Sequence, residues 1–216
     1  MAAILNELQA NFLKAFFTLA KSFYLTGGTA LSAFYLQHRY SVDLDLFTRD
    51  IPAFQRTEGL VDEACTQLGI SSHPVEITPF FKHFLVGPPG NPLTLHFSKD
   101  VLFRVKPPSR FGDILVDSIE DIAANKICAA LGRTEIKDLI DLYFLDVAGH
   151  SISAYFDLAQ QKDGGLAYET LAFTLSQFDI LTVPSFMIKP VTVDDLKQYL
   201  ETTIEWLIRK SSPPTS

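Results

Sequence analysis

The 216-residue sequence predicts an α+β fold, in which a mixed β-sheet flanked by helices precedes a mainly helical C-terminal half. Up to about residue 106, short apolar runs bounded by glycine and proline alternate with segments of helical periodicity. After Lys106-Pro107-Pro108-Ser109, apolar residues recur mainly at helical spacing. We therefore expect an α/β core with an N-terminal helix at 1–106, a helical region at 107–210 and a disordered tail at 211–216.

Each element follows from a local pattern of apolar, turn and capping residues. In the first half we expect a helix over 3–20, a strand at Ser22–Thr26, a helix capped by Thr29 that runs to about His38, a strand at Ser41–Phe47, a helix over 53–69, a strand at Val75–Val86 bent at Pro79, and strands at Leu93–Phe97 and Val101–Val105. In the second half we expect helices from Ser118 to Gly132, from Thr134 to Val147, and over 166–178 and 192–209, the last with Thr192 and Asp195 as a capping pair.

The amino-acid composition and net charge limit the classes of protein to which this sequence can belong. The net charge of −7 does not favour a broad, non-specific nucleic-acid surface, although it leaves room for a local basic groove. Cys65 and Cys128 match no zinc-ligand spacing, and we expect buried free thiols in a reducing compartment. Polar residues interrupt the apolar stretch from Ile4 to Ala20, which favours an amphipathic helix over a signal peptide or a membrane span. We therefore expect a cytoplasmic protein with no membrane partner.

Two aspartates, Asp43 and Asp45, are the most informative residues. On a strand over 41–47 the side chains of Val42, Leu44 and Leu46 point into a core. The two carboxylates then share the opposite face, about 7 Å apart along the strand. They repel each other and resist burial, and a divalent cation relieves both problems. The competing interpretation is an edge strand whose acidic face is merely solvated.

The glycine pair Gly27-Gly28 lies between a predicted strand and a predicted helix. Backbone N–H groups and a helix N-terminus face an anion at such a position, and glycine lets a phosphate approach closely. His38, Arg39 and Ser41 bring polar groups to the same part of the sequence. An ordinary turn is the competing interpretation.

Lys126 shares a helix face with Ile122 and Ala130, so it needs an anionic partner or a route along which its head reaches water. Arg133 falls on nearly the same side of that helix. On the next helix Asp138 leaves the apolar stripe, so it orients Lys126, binds a substrate or faces water.

Together these residues resemble a known family. Gly27-Gly28-Thr29-Ala30-Leu31, His38-Arg39 and Ser41–Phe47 look like the first motif of the AbiEii-type nucleotidyltransferases, within the DNA polymerase beta nucleotidyltransferase superfamily. The stretches 121–126 and 133–143 are similar to later motifs of that family. AbiEii itself is the toxin of an abortive-infection toxin–antitoxin pair. The resemblance covers roughly residues 22–147.

The resemblance implies a function and a set of site residues. Asp43 and Asp45 bind Mg²⁺ (or Mn²⁺) on a nucleoside triphosphate, Lys126 contacts a phosphate, and Asp138 belongs to the active site, which the helical region 107–210 completes. An acceptor hydroxyl attacks the α-phosphate and pyrophosphate leaves. The acceptor is an RNA end, a protein hydroxyl or a small molecule, and an antitoxin protein is a candidate partner. The residues expected to bind the phosphates are Gly27, Gly28, Thr29, Arg39 and Ser41.

The sequence departs from the superfamily pattern on the strand Leu93–Phe97. The superfamily normally places a third carboxylate there, and the sequence has His96, with Thr94 where a lysine is common. His96 is then a candidate metal ligand, although Mg²⁺ prefers oxygen ligands. This departure makes a catalytically weakened nucleotide-binding protein of the same fold the second hypothesis. A third hypothesis is a structural or partner-binding domain whose aspartates face water. The acids that could substitute are Glu76, Asp100 and Asp113.

Overall fold

The computed structural model describes residues 4–211 and confirms the predicted fold class. The chain divides into two compact units. The first runs to Leu102 and also includes Lys106–Ser118, whereas the second comprises Phe103–Val105 and continues from Ile119. The first unit contains α1 (Glu7–Leu19), β1 (Phe23–Thr26), α2 (Gly27–Ala30, continued by a π-helical segment, Leu31–Leu36), β2 (Leu44–Thr48), α3 (Ile51–Gln55), α4 (Thr57–Leu68), β3 (Ser72–Ile77), β4 (Phe81–Val86), β5 (Leu93–Lys99), β6 (Ser109–Phe111) and β7 (Ile114–Val116). The second unit contains α5 (Ile119–Gly132), α6 (Ile136–Val147), α7 (Ile152–Lys162), α8 (Tyr168–Ser176) and α9 (Val193–Ser211).

The seven strands of the first unit form one mixed sheet in the order β3-β4-β5-β2-β1-β7-β6. β2 is antiparallel to β1 and parallel to β5, and β1 is parallel to β7. The other neighbours are antiparallel hairpins. Since β1 and β2 lie at the centre, the residues that end β1 and begin β2 are held by strands on both sides.

Aromatic side chains join α1 to the sheet. Phe16 of α1 lies 5.4 Å from both Phe23 and Phe97, measured between ring centroids, and all three side chains are fully buried. Each contributes about 1.5–3 kcal/mol by burial alone. At the start of α1, Asn6 and Gln9 form a reciprocal capping box. α1 is therefore fixed against the central strands.

The strand predicted at Ser41–Phe47 begins later, at Leu44. The expectation that Val42 points into the core is wrong, because 70% of this residue is exposed. The carbonyls of Ser41 and Val42 both accept from the side-chain amide of Gln9 at 3.0 Å, instead of joining a neighbouring strand. Asp43 therefore precedes the strand, whereas Asp45 lies on it.

Three other segments in or near the sheet differ from expectation. The segment Val101–Val105 lies outside the strands: Leu102 is 92% exposed, and the Val105 N–H donates to the Asp121 carboxylate at 3.1 Å. The hairpin β6–β7 was not predicted, and it extends the sheet beyond residue 106. The predicted strand Val75–Val86 is instead the hairpin β3–β4, because Thr78 accepts from the N–H groups of the turn.

The second unit is helical, as expected. Its aromatic centre includes Phe156 stacked on Tyr168 at 4.0 Å between centroids. Helix α7 was not predicted, and Ser151 caps its N-terminus. The predicted capping pair is confirmed, because the Asp195 carboxylate accepts from the Thr192 N–H at 2.8 Å and the Thr192 hydroxyl accepts from the Asp195 N–H at 3.1 Å.

The expected tail at 211–216 falls mostly outside the described residues. Ser211 is the last residue of α9, so the helix extends one position into the predicted tail. Residues 212–216 lie outside the described part of the chain, as do residues 1–3. Within residues 4–211, no helix has both the length and the apolar character that crossing a membrane requires.

Both cysteines are free thiols, and the structure buries Cys65 fully and Cys128 partly. Burial, together with the Asp62 carboxylate, raises the pKa of Cys65 to about 11. Burial, together with the Asp163 carboxylate, raises the pKa of Cys128 to about 11. Since the thiolate is the nucleophile, both thiols are poorly reactive in the folded protein.

We expect both cysteines to react with iodoacetamide at pH 8 at least about tenfold more slowly in the folded chain than in the unfolded chain. Mass spectrometry of quenched samples measures each site, with the chain in guanidinium as the reference. Rapid labelling of either thiol in the folded chain would contradict the burial described above.

Candidate functional site

The glycine turn, Gly27-Gly28, joins β1 to α2. Gly27 has a φ of 70°, a conformation that favours glycine. The expectation that Thr29 caps the helix is wrong: Thr26 is the N-cap, and Thr29 lies inside α2. The Thr29 hydroxyl instead donates to the backbone carbonyl of Asp43 at 2.5 Å. The helix also ends earlier than His38, at Leu36, where Gln37 adopts a left-handed conformation. Thr29 thus connects the glycine turn to the acid pair, Asp43 and Asp45.

The carboxylate of Asp45 lies directly against Gly27. Asp45 pairs with Thr26 in the β1–β2 register, and a Cβ on Gly27 would lie 3.0 Å from Asp45 Cγ and would clash with Asp45 Oδ2. The close approach therefore requires glycine. An acidic side chain and the backbone of the turn therefore meet here, as the sequence predicts, with Gly27 half-buried and Gly28 buried.

Arg39 and Ser41 lie against the second glycine. A Cβ on Gly28 would lie 3.3 Å from Ser41 Oγ and would clash with the guanidinium of Arg39. Arg39 is nearly buried, and it also donates to the Tyr40 carbonyl at 2.9 Å. The structure therefore brings the predicted phosphate-binding residues together around the turn.

A row of polar side chains crosses the sheet from the acid pair. In register, Asp45 is next to His96, His96 is next to His83, and His83 is next to Glu76. The Nδ1 of His96 lies 3.2 Å from Asp45 Oδ1, and the rings of His83 and His96 are 5.0 Å apart. Burial and the adjacent His96 lower the pKa of His83, although the carboxylates of Glu76 and Asp43 oppose this shift. His83 is therefore neutral at physiological pH.

The three acids considered as substitutes for a third carboxylate do not lie beside Asp45. Asp100 follows the end of β5 that pairs with Thr48, and Asp113 precedes β7, so both lie at the other end of the sheet. Glu76 shares the polar row but is three strands from Asp45, about 14 Å at ordinary strand spacing. His96 is the side chain at the expected position.

Sequence reasoning missed a buried acid on the other side of the turn. Asp117 is 2% exposed, and its carboxylate accepts from the Thr26 hydroxyl at 2.8 Å and from the Ser118 N–H at 3.1 Å. Asp117 directly follows β7, so the signal would have been that strand, which was not predicted. His83 was also missed, since nothing in a single histidine on a predicted strand indicates a neighbour.

The second unit holds a cluster of charges, here called the lysine cluster, in which Lys126, Asp138 and Asp141 are buried and Arg133 is exposed. The ammonium group of Lys126 lies 2.8 Å from Asp138 Oδ1 and 2.5 Å from Asp141 Oδ2, and both aspartate side chains are fully buried. Arg133 Nε donates to the other oxygen of Asp138 at 2.7 Å. Of the three roles left open for Asp138, the structure shows contact with Lys126, and the alternative that Asp138 faces water is wrong because its side chain is fully buried.

Mutual charge compensation sets the protonation of this cluster. Burial alone would lower the pKa of Lys126, but the carboxylates of Asp141 and Asp138 outweigh burial and raise it. Burial alone would raise the pKa of Asp138, but Lys126 and Arg133 outweigh burial and lower it. Lys126 and Asp138 are therefore both charged at neutral pH. The two cations and the two carboxylates of the cluster nearly cancel in net charge.

Within residues 4–211, no three histidine, cysteine or acidic side chains are arranged to hold a metal ion together. Mg²⁺ commonly binds one or two carboxylates and completes its shell with water and substrate phosphates. The Asp45 carboxylate lies against the glycine turn and the Asp43 backbone is bound to the same turn through Thr29, so the two residues fit an ion that binds together with a triphosphate.

The sheet topology and this site define the class of the protein as a nucleotidyltransferase-like fold. Among solved structures, a candidate nucleotidyltransferase from Helicobacter pylori superposes with a TM-score of 0.57 at 21% identity, covering 95% of this chain and 97% of the other. JHP933 from Helicobacter pylori superposes with a TM-score of 0.56 at 21% identity, covering 95% of this chain and 94% of the other. MenT4, the nucleotidyltransferase toxin Rv2826c from Mycobacterium tuberculosis H37Rv, superposes with a TM-score of 0.59 at 15% identity, covering 96% of this chain and 83% of the other.

The family is shown by sequence. The model of the nucleotidyl transferase AbiEii toxin family, of type IV toxin–antitoxin systems, matches residues 11–203, and the chain belongs to this family. No curated protein sequence matches the chain. The resemblance noted in the sequence is therefore confirmed at the level of the family.

We expect Gly27→Ala to lower the free energy of unfolding by about 1–3 kcal/mol, because a left-handed backbone and the Asp45 carboxylate both oppose a Cβ. Gly28→Ala should cost less, since its nearest obstacle is the movable end of Arg39. Gly59→Ala is the matched control: it lies in α4 facing open space and should raise stability by about 0.5–1 kcal/mol. Urea unfolding measures all three, and equal effects at 27 and 28 would contradict the close approach.

We expect Asp138→Asn to lower the free energy of unfolding by about 1–3 kcal/mol at pH 7, because it leaves the buried ammonium group of Lys126 with one carboxylate, Asp141, instead of two. The Asp138 contribution is present above the ordinary aspartate pKa and is lost as pH falls through its lowered folded pKa. The difference between variant and wild type should therefore shrink below about pH 4.

Urea unfolding between pH 7 and pH 3 measures that difference. Asp179→Asn, at an exposed position, is the control and should change stability little at any pH. A difference for Asp138→Asn that stays constant with pH would contradict the ionised cluster.

Proposed function

We propose that this chain is a metal-dependent nucleotidyltransferase toxin that transfers a nucleoside monophosphate from a nucleoside triphosphate to an acceptor hydroxyl. Membership of the AbiEii family supports the reaction class and the toxin role. The family also implies an antitoxin partner and a nucleotide substrate. The solved toxin MenT4, whose fold this chain shares, is consistent with the same class.

The contact of Asp45 Oδ2 with Gly27 carries the proposal. A nucleotidyl transfer needs a cation next to a phosphate, and it therefore needs carboxylates next to a backbone that a phosphate can approach. A solvated acidic strand, which is the structural alternative, would not require a glycine in the left-handed region under its carboxylate.

Asp43 and Asp45 would hold the metal, Mg²⁺ or Mn²⁺, with phosphate oxygens and water completing its shell. The ion supplies charge stabilisation on the transferred phosphoryl group and lowers the pKa of the attacking hydroxyl. His96 stands where a further carboxylate is expected, so the protein contributes two carboxylates rather than three.

The phosphates would be bound by N–H groups at the glycine turn, by the hydroxyl of Ser41 and by the guanidinium of Arg39, whereas Thr29, whose hydroxyl donates to the Asp43 carbonyl, would hold its own segment of the turn beside the acid pair. Lys126 and Asp138 would take part in the same reaction, as the family resemblance implies. One bond forms between the acceptor oxygen and the α-phosphorus, and the bond from the α-phosphorus to the bridging oxygen breaks. The acceptor gives up its proton and pyrophosphate leaves.

The test has three arms, one for each chemical class of acceptor: an RNA end, a protein hydroxyl or a small molecule. The net charge of −7 disfavours a broad RNA surface. A second candidate function is a nucleotide-binding protein with weakened catalysis, which the imidazole of His96 beside Asp45 favours.

We expect the purified chain, incubated with each α-labelled triphosphate, Mg²⁺ or Mn²⁺, and cellular RNA, protein and low-molecular-weight extract, to label one of these three fractions. Asp43→Ala and Asp45→Ala should each reduce labelling at least about a hundredfold, because both would hold the metal. Asp113→Ala is the control, since Asp113 is exposed and lies at the other end of the sheet.

Scintillation counting of the separated fractions and release of pyrophosphate give two readouts. Metal-dependent nucleotide binding without labelling or pyrophosphate release would support the weakened binding protein instead. Absence of metal-dependent nucleotide binding would overturn both candidates and leave the solvated-strand interpretation.

A further inference from the structure

The two oxygens of the Asp45 carboxylate have different neighbours. Oδ1 lies 3.2 Å from the Nδ1 of His96, whereas Oδ2 lies against Gly27. A carboxylate on a strand rotates readily about its last torsion unless a hydrogen bond holds it. The contact with His96 therefore fixes the plane of the carboxylate, so that while one oxygen lies against His96 the other faces the glycine turn.

The position of His96 is itself fixed. Pairing of β5 with β2 puts it beside Asp45, and pairing with β4 puts it beside His83. Its ring contacts the ring of His83 edge to face at 5.0 Å and the ring of Phe81 at 5.6 Å, measured between centroids. The Nε2 of His83 is buried and has no hydrogen-bond partner among residues 4–211, so His83 acts here as a packed ring.

The direction of the ring nitrogens decides between two roles for His96. The two nitrogens of an imidazole point to different sides of the ring. An imidazole whose Nδ1 faces Asp45 directs its Nε2 away from an ion held by the same carboxylate. His96 is thus placed to donate a hydrogen bond to Asp45 rather than to share a metal ion with it.

We propose that His96 is a positioning residue, whose Nδ1–H donates to Asp45 Oδ1 and keeps Oδ2 directed at the glycine turn, and that it is not a metal ligand. This inference rests on the proposed function, because it assigns the role of a residue in the same site. Hydrogen bonds to ligating carboxylates orient them, and loss of such a partner typically costs 10–100-fold in metal affinity. The site then holds its ion with the acid pair and the substrate.

The test measures Mn²⁺ affinity of the full chain in the presence of a non-hydrolysable triphosphate analogue, from the EPR signal of free Mn²⁺. His96→Ala should weaken Mn²⁺ binding about 10–100-fold. His96→Asn, whose amide still donates, should recover most of that loss. His73→Ala is the matched control, because His73 is exposed on the edge strand β3, and it should leave the affinity unchanged.

Pulsed EPR of the bound Mn²⁺ separates positioning from ligation, since a coordinated imidazole gives a nitrogen coupling. We expect no such coupling from His96 in the wild-type chain. A nitrogen coupling that disappears in His96→Ala would overturn the inference, as would an affinity that neither His96 variant changes. If His96→Ala does not fold, a wild-type affinity in His96→Asn together with the absence of the coupling supports the inference, and an affinity as weak as that of Asp45→Ala overturns it.

Failure of the inference is distinguishable from failure of the proposed function. A wild-type chain that binds no Mn²⁺ with the analogue would overturn the proposed function, and the inference with it. If the wild-type chain binds Mn²⁺ together with the analogue, and the His96 variants bind Mn²⁺ as tightly as the wild type, the inference alone is overturned.

Discussion

The contact between the Asp45 carboxylate and Gly27 is the constraint on which the first unit depends. It requires a left-handed glycine at the end of β1, and it requires that β1 and β2 pair so that Thr26 lies opposite Asp45. A shift of one residue in that register would turn Asp45 into the core and Leu44 out of it. The buried Phe16, Phe23 and Phe97 oppose such a shift, because they fix α1 on the same strands. The hydrophobic core therefore holds a polar site in register.

The second unit meets a different constraint, which is the burial of charge. Two fully buried carboxylates are tolerable only because Lys126 and Arg133 approach them at hydrogen-bond distance. Replacing such a cluster by apolar residues is often neutral or stabilising, so its retention is poor evidence of a stabilising role. What the cluster does show is that the ammonium group of Lys126 is held in its charged form by two carboxylates at fixed positions.

Sequence patterns predicted the residues of the candidate site better than they predicted where the helices and strands begin and end. The glycine turn, Asp45 and Lys126 could be found because each breaks a local rule: a glycine pair before a helix, an acid on an apolar strand, and a lysine on an apolar helix face. The late start of β2 could not be found, since it depends on the side chain of Gln9, distant in sequence. The hairpin β6–β7 is too short to show a period, and without it Asp117 had no visible context.

The imidazole at position 96 changes the electrostatics of the acid pair. A third carboxylate beside Asp43 and Asp45 would add to their repulsion, and that repulsion would have to be relieved before any nucleotide arrived. An N–H donor from His96 stabilises the Asp45 carboxylate without adding negative charge. Two carboxylates are then enough to bind an ion that already carries phosphate oxygens, and too few to form a complete shell for a free ion. We therefore expect the proposed site to couple metal binding to nucleotide binding, because the triphosphate would supply the ligands that the protein omits.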